Sequence, residues 1–290
     1  MRLELAGSLI LPSPLVLRFE ANDSFDTQTY IDMGYTYFDV ICIGAGGGSG
    51  GGIDTANTGT TLRCWGGAGG GGGFQRVRGL LSALPNTCPV VVGVGGVVGT
   101  DHASDPSFTT DGTDGGYSTF NTNTCRASGG KGGKRVQSNS TGVPTQANGG
   151  DGGAGNRTAA GGGALGGVAG SPVGGVLGTP GTPGVDGTFI YDRGQGGGGG
   201  AGGIGQYVTA RTFNEGTSGG KGSYNPGDTS IYGPGGDPGS NPATGATNTI
   251  PGKAGGAKAS PLTGLPTIYG SSKNVGPGDN GVVVIRLTTE

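Results

Sequence analysis

The chain has 290 residues, among which glycine occurs 74 times and proline 17 times, and its formal net charge at pH 7 is −2. No stretch reaches the roughly 18–20 consecutive apolar residues of a membrane span, and the few Lys and Arg residues form no patch that suggests nucleic acid as a partner. Disordered chains usually combine low hydrophobicity with high net charge. The near neutrality therefore favours an ordered architecture built on glycine.

Glycine can form such an architecture only if its backbone N–H and C=O groups are hydrogen-bonded throughout. Glycine loses more conformational entropy on folding than any other residue, and it buries almost no apolar side chain in return. Extended segments with three residues per turn have no internal hydrogen bonds, so their N–H and C=O groups are available to neighbouring segments. The composition predicts mainly β and irregular structure, in which short strands frame a polyglycine-II-like bundle of rods and α-helix is almost absent.

Residues 1–36 form the only segment of ordinary composition. Their loosely alternating apolar residues predict short strands or extended docking structure, which we interpret as an N-terminal attachment segment. A secretory signal is disfavoured because Glu4 lies where such signals are basic, and because Pro12 and Pro14 interrupt the apolar stretch.

Residues 37–290 are predicted to form one glycine-rich domain closed by its own first and last strands. β-Branched and aromatic residues predict strands at residues 37–43 and 282–287, and we expect these two strands to pair. A third strand is predicted at residues 89–98, where glycines indicate a close approach of another backbone. No window carries the apolar spacing of an amphipathic helix.

The glycine clusters between the strands are predicted to be the rods, and the polar segments between them are predicted to be loops at the rod ends. The clusters lie at residues 44–52, 66–73, 129–133, 149–155, 161–167, 194–205 and 219–222. Asp111 and Asp114 fall in one of the polar segments. Their Asp-Gly pairs predict turns, and their carboxylates suggest at most a weak cation site.

One stretch has the glycine spacing of collagen, since glycine occupies every third position from Gly175 to Gly187. Only four triplets are complete, so a freestanding triple helix of that length would be unstable. The stretch is predicted to be an extended rod or loop, and a local three-chain contact in a trimer is the alternative.

The glycines after the strand at 37–43 superficially match a dinucleotide-binding turn. That motif requires a following helix and an acidic residue about 20 positions further on, and this sequence offers neither. The single histidine, His102, lies in a polar segment, and no two carboxylates stand out as a catalytic pair. We therefore predict that the protein is not an enzyme and that it uses no cofactor.

The four cysteines, Cys42, Cys64, Cys88 and Cys125, are widely spaced and include no C-x-x-C pair. This spacing argues against a zinc site, and we predict no bound metal. Buried free thiols and one or two disulfides are both compatible with the sequence.

Several aromatic residues in polar loops are candidates for contact with a receptor. Aromatic residues among Gly, Ser and Asn resemble adaptable recognition loops, and their rings could stack on sugars. The candidates are Phe213, Tyr224, Tyr232 and Tyr269. The alternative is that aromatic residues cap rod ends and shield them from water, which is the preferred interpretation for Trp65.

The order of these segments resembles the glycine-rich minor tail proteins of bacteriophages, most closely those of phages that infect mycobacteria and related actinobacteria. The shared order covers residues 37–288 and runs through YFDVICIGAGGGSGGG, GGAGGGGGFQRVRGLLSALPNTCPVVVGVGG, DGGYSTF, GGGGGAGG and GDNGVVVIRL. Residues 95–98 are less rich in glycine than is usual in that pattern, and residues 1–36 carry no resemblance.

The resemblance implies a structural virion protein of the phage tail, at the tail tip or fibre near the site of host attachment. Its partners would be other tail proteins, and we expect a homo-oligomer, with a trimer favoured. One alternative is a receptor-binding adhesin whose loops within residues 210–275 contact host cell-envelope glycan. A second alternative is an extracellular signalling module that uses glycine rods.

Overall fold

A computed structural model describes residues 11–57, 60–64, 66–100, 109–135, 137–138, 144–145, 150, 189–190, 193–194, 204–207, 211–214 and 277–289. These residues form mainly antiparallel β-structure and extended glycine-rich segments, which confirms the predicted fold class. Helix within them is limited to α1 (Thr27–Asp32) and one turn of 3₁₀ helix at Leu81–Ala83.

The strands combine into antiparallel sheets. In chain order they are β1 (Leu15–Phe19), β2 (Asp23–Asp26), β3 (Tyr37–Ile43), β4 (Ile53–Asn57), β5 (Thr60–Cys64), β6 (Phe74–Leu80), β7 (Thr87–Val91), β8 (Ser118–Phe120), β9 (Cys125–Ala127), β10 (Gln137–Ser138), β11 (Pro144–Thr145), β12 (Phe189–Ile190), β13 (Arg193–Gly194), β14 (Ile204–Tyr207), β15 (Arg211–Asn214) and β16 (Val282–Thr288). The sheet orders are β1-β16-β3-β6-β13-β12, β2-β7-β8-β9, β15-β14-β5-β4 and β10-β11.

The six-stranded sheet is closed by strands from opposite ends of the chain. β16 lies between β1 and β3 and runs antiparallel to both. Its register with β3 extends from Val282 opposite Ile43 to Thr288 opposite Tyr37. This confirms the predicted pairing of the first and last strands of the glycine-rich domain. Strands of the expected attachment segment also join the sheets, since β1 pairs with β16 and β2 pairs with β7.

Two clusters of buried side chains lie on opposite faces of the six-stranded sheet, because successive residues of a strand point to opposite faces. On one face, the Phe120 ring packs with its centroid 5.7 Å from that of Phe25 and 6.1 Å from that of Phe38. The smaller cluster on the other face consists of Ile41, Ile43, Phe74, Val282 and Val284. β16 contributes to both clusters, so it links the two faces of the sheet.

Helix α1 departs from the extended structure expected for residues 1–36. The Asp26 carboxylate accepts hydrogen bonds from the N–H groups of Gln28 and Thr29, which satisfies donors of the first helical turn. The Thr29 hydroxyl also donates to Asp26 Oδ2 at 2.8 Å. In the sequence, Asp26 before a short run of helix-compatible residues indicates a helix start. The residues that follow lack the apolar spacing of an amphipathic helix, so the helix was not predicted.

The strand predicted at residues 89–98 is wrong in its second half, where β7 has ended and residues 93–100 continue as a rod. The N–H of Gly96 donates to the Gly46 carbonyl at 2.8 Å instead of entering a strand ladder. The predicted close approach of another backbone is confirmed. A Cβ at Gly96 would lie only 2.1 Å from the Thr113 carbonyl oxygen.

Residues 44–52 form the central rod of the glycine bundle, and every residue of this rod is buried. Its hydrogen-bonded neighbours are rods at residues 66–73, 93–100, 109–117, 128–135 and 277–281. The donors to the 66–73 rod are Gly44, Gly47 and Gly50, and the donors to the 109–117 rod are Ala45, Gly48 and Gly51. Each of these two neighbouring rods thus accepts a hydrogen bond from every third residue of the central rod, which is the period of an extended helix with three residues per turn.

The rods around the central rod also bond to one another. The N–H of Gly70 donates to the Lys131 carbonyl at 2.8 Å, and the N–H of Gly115 donates to the Gly130 carbonyl at 2.9 Å. The bonds therefore run in several directions across the bundle, whereas a sheet uses one direction only.

The spacing of the rods excludes side chains from the positions that face a neighbour. A Cβ at Gly47 would lie 2.1 Å from the Lys131 carbonyl oxygen, and a Cβ at Gly48 would lie 2.1 Å from the Val97 carbonyl oxygen. Real Cβ atoms essentially never come closer than 3.0 Å to such atoms. Close packing of bare backbones is therefore the reason for glycine at these positions.

Candidate functional site

A ladder of ion pairs joins two rods on the outside of the bundle. Lys131 Nζ lies 2.7 Å from Asp114 Oδ2, and Lys134 Nζ lies 3.0 Å from Asp111 Oδ2. The second oxygen of each carboxylate accepts a backbone N–H of the 128–135 rod at 2.9 Å. Both carboxylates therefore hold the 109–117 rod in one register against its neighbour.

This ladder corrects the prediction of turns at Asp111 and Asp114, because their segment is a rod. Their carboxylates hold lysine ammonium groups and backbone N–H groups, instead of standing open to a cation. The sequence did contain the signal. The two aspartates are three residues apart, and so are Lys131 and Lys134, which is the period that repeats one face of such a rod.

The ladder predicts a loss of stability in acid. Partial burial acts to raise the pKa of Asp111, but the Arg135 N–H and the Lys134 ammonium outweigh it, and the pKa falls below its ordinary value of 3.8. The pKa of Asp114 is likewise lowered, against partial burial, by Lys131 and the Gly132 N–H. The stabilisation is therefore complete above the ordinary pKa and disappears as the pH falls through the lowered pKa values.

We expect the double variant Asp111→Asn/Asp114→Asn to lose about 1 kcal/mol of stability or less per exposed pair at neutral pH. Its stability should also fall less steeply than that of the wild type below about pH 4. Urea denaturation from pH 7 to pH 3 measures both effects. Equal acid dependence in the two proteins would show that the ladder contributes no stability.

The 93–100 rod lies on an exposed side of the bundle, where neighbouring side chains accept its N–H groups. The N–H of Val97 donates to Thr113 Oγ1 at 2.7 Å, and the N–H of Gly95 donates to Asn280 Oδ1 at 2.9 Å. Polar side chains therefore complete the hydrogen bonding where this rod faces away from the central rod.

Three of the cysteines, Cys42, Cys88 and Cys125, are buried free thiols, and the side chain of Cys64 lies outside the described residues. Burial, together with the neighbouring Cys125, raises the pKa of Cys42 well above its ordinary value. Burial also raises the pKa of Cys88. These two thiols therefore stay protonated, and as thiols they pack in the core and are poor nucleophiles.

A cleft of about 370 Å³ opens on the six-stranded sheet, near the ends of β3, β6 and β16 that lie away from the bundle. The lining side chains include Tyr37, Asp39, Arg76, Arg78, Arg286 and Thr288. The strand register brings three of them together, because Asp39 lies opposite Arg78 on β6 and opposite Arg286 on β16.

Among the described residues, Asp39 is the only carboxylate that lines this cleft, and arginines hold it in place. Arg76 Nε donates to Asp39 Oδ1 at 2.7 Å, and a second nitrogen of Arg76 donates to Oδ2. Arg78 Nε donates to the same Oδ2 at 3.2 Å. Arg76 is 9% exposed and Arg78 is 62% exposed, so Arg76 is part of the cleft wall and Arg78 faces solvent.

Of the four aromatic residues proposed for receptor contact, only Phe213 lies in a described strand. It belongs to β15, where its backbone is opposite Gly205 of β14, and its side chain lies outside what the structure describes. The following predicted features also lie outside the described residues: Tyr224, Tyr232, Tyr269, Trp65, His102, the collagen-like stretch from Gly175 to Gly187, and most of the rods predicted beyond residue 150.

Within the described ranges, no three or more His, Cys, Asp and Glu side chains are grouped so that they could hold a metal ion. Among the same residues, no helix has the length and apolar character needed to cross a membrane.

Comparison with known proteins gives one family match. The sequence profile of a family described as a glycine-rich domain matches residues 22–288. No curated protein matches the chain. The matched range contains β3, the central rod and β16.

Proposed function

The chain belongs to the glycine-rich domain family, and on that premise we propose that it is a structural protein of a bacteriophage virion, a minor component at the tail tip or fibre. The observation that carries the proposal is the closure of a glycine bundle by β3 and β16. A strand that opens onto polyglycine and a Gly-Val-Val-Val-Ile-Arg strand that ends the domain are the segments through which the sequence resembles phage tail proteins.

The bundle has mechanical properties that suit such a role. Its central rod donates hydrogen bonds to rods on different sides, for example from Gly47 to Gly70 at 2.9 Å and from Gly48 to Thr113 at 3.0 Å. Displacing the central rod in any direction across the bundle breaks several of these bonds together. A stiff body of this kind is suited to a part of the particle that meets the host.

We further propose that the protein is a homo-oligomer, with a trimer favoured, and that it contacts other tail proteins. Among the described strands, β1 ends the strand order of the large sheet and so presents an edge. Edge strands readily pair with another chain unless they are covered. A tail protein or a second copy of the chain could pair with this edge. Such pairing would agree with the expectation that residues 1–36, which include β1, form an attachment segment.

Immunogold electron microscopy of intact particles tests the location. Antibody against the full chain should label the tail end of particles from the phage that encodes it, while antibody against a capsid protein labels the head as a control. Cross-linking in the same particles should give a trimer band. Gold on the capsid, or particles that carry no label although the antibody recognises the purified chain, would remove the proposal.

A second candidate is a receptor-binding adhesin. The observation that favours it is the arginine-lined cleft on the large sheet, whose composition suits an anionic ligand. This candidate does not exclude the first, since a tail-tip protein can also bind a receptor.

A further inference from the structure

The cleft carries a formal excess of two positive charges, although the chain as a whole is slightly acidic. Arg76, Arg78 and Arg286 face the single carboxylate of Asp39. Arg76 binds both oxygens of that carboxylate and so neutralises it. Because Arg78 shares the same carboxylate, the cleft keeps two positive charges that no second carboxylate among its described lining residues balances.

Arg286 is the arginine of the cleft that has no acidic partner among the described residues. Among the described residues it makes no ion pair, whereas Arg18, Arg76 and Arg78 each have an acidic partner. It lies on β16, directly opposite Asp39. A third arginine placed at a carboxylate that already bonds to Arg76 and Arg78 adds repulsion without adding a bond, so the pairing of Asp39 does not account for Arg286.

We propose that this cleft binds an oxyanion, a phosphate or carboxylate group, and that Arg78 and Arg286 grip it from the two sides. β6 and β16 flank β3, so the backbones that carry these two arginines are about 10 Å apart. Long guanidinium side chains converge across that distance. The planar donor fork of arginine matches the geometry of phosphate and carboxylate oxygens.

The roles of the other lining residues follow from this arrangement. Asp39 acts as a positioning residue, because its Oδ2 holds Arg78 Nε at 3.2 Å. Tyr37 is 41% exposed at the same cleft and offers a ring on which the body of a ligand can pack. The volume of about 370 Å³ accommodates a group the size of a sugar that carries the anion. Binding of an oxyanion in this cleft does not depend on where in the particle the protein is located, so the two proposals can fail independently.

Arginine Nε–Hε signals in the NMR spectrum of the full chain provide the test. Three ligands are titrated at constant ionic strength: inorganic phosphate, glucose 6-phosphate and glucose. We expect saturable shifts of the Arg78 and Arg286 signals with the two phosphates and none with glucose. Tighter binding of glucose 6-phosphate than of phosphate would assign an anionic saccharide, and equal binding would assign the oxyanion itself.

Matched variants separate the cleft from general electrostatics. Arg286→Gln should weaken phosphate binding about tenfold, the cost of one charge-assisted contact. Arg18→Gln removes an equal charge from the same face of the sheet, where Arg18 on β1 pairs with Glu20, and should leave binding unchanged. Backbone amide spectra confirm that each variant is folded. Shifts that never saturate, or equal weakening in both variants, would overturn the proposal.

Discussion

Gly47→Ala is expected to lower the free energy of unfolding by about 3 kcal/mol or more, because the added methyl group meets only main-chain atoms. The Cβ would lie 2.1 Å from the oxygen and 2.5 Å from the carbon of the Lys131 carbonyl. Relief requires the 128–135 rod to move away, which stretches the bond from Gly130 N–H to the Ala45 carbonyl. Urea denaturation measures the loss, and faster hydrogen exchange at Gly130 locates it.

Gly79→Ala is the matched control, because it adds the same methyl group beside a side chain. Its Cβ would lie 3.0 Å from the edge of the Phe38 ring, so relief requires a shift of a few tenths of an ångström in one side chain instead of a shift of main chain. We expect a loss of about 1 kcal/mol or less. Equal losses for Gly47→Ala and Gly79→Ala would mean that close packing of backbones is not the reason for glycine in the central rod.

Ile285→Ala is expected to cost about 2–5 kcal/mol, the usual range for a fully buried isoleucine. Ile285 has no exposed surface, and it lies on β16 opposite Leu17 of β1 and Val40 of β3. The cavity left by the shortened side chain would weaken the packing of β16, which lies between β1 and β3 in the large sheet. We therefore expect the whole domain to unfold in one cooperative transition at a lower urea concentration. Circular dichroism and intrinsic fluorescence, followed in the same titration, measure it.

Val94→Ala is the control for Ile285→Ala, since it also shortens an aliphatic side chain. Val94 is 71% exposed on the 93–100 rod, so the variant should stay within about 0.5 kcal/mol of the wild type. A large loss for Val94→Ala would mean that this side of the bundle is covered in solution. A small loss for Ile285→Ala would mean that β16 is not needed to hold the domain closed.

The glycine bundle could be predicted because its signal is chemical and local. Long glycine clusters leave main-chain hydrogen bonding as the main source of order, so rods at residues 44–52 and 66–73 followed directly from composition. The pairing of β3 with β16 could also be predicted, since both are apolar strands at opposite ends of one glycine-rich region.

The errors at residues 93–100 and 109–117 share one physical cause. Residues 93–100 contain valines typical of strands, and residues 109–117 contain aspartates typical of turns, yet both are rods. A position on the outside of a rod tolerates any side chain, because only the residues that face a neighbour must be glycine. Local propensity therefore gives the wrong answer wherever a rod lies at the surface.

The arginine cleft could not be predicted, because it depends on register. Arg78 and Arg286 are more than two hundred residues apart in the sequence, and they meet at Asp39 only through the alignment of β6, β3 and β16. The aromatic residues chosen as receptor contacts were selected by composition alone. Of these, Phe213 is placed in a strand, and its role in contact stays a prediction.

The side chains that accept N–H groups of the 93–100 rod also affect how the molecule behaves at high concentration. Thr113 and Asn280 occupy N–H groups of Val97 and Gly95, so a foreign polypeptide finds fewer vacant donors along that flank. In β-proteins, blunted edges of this kind separate soluble folds from those that grow into fibrils.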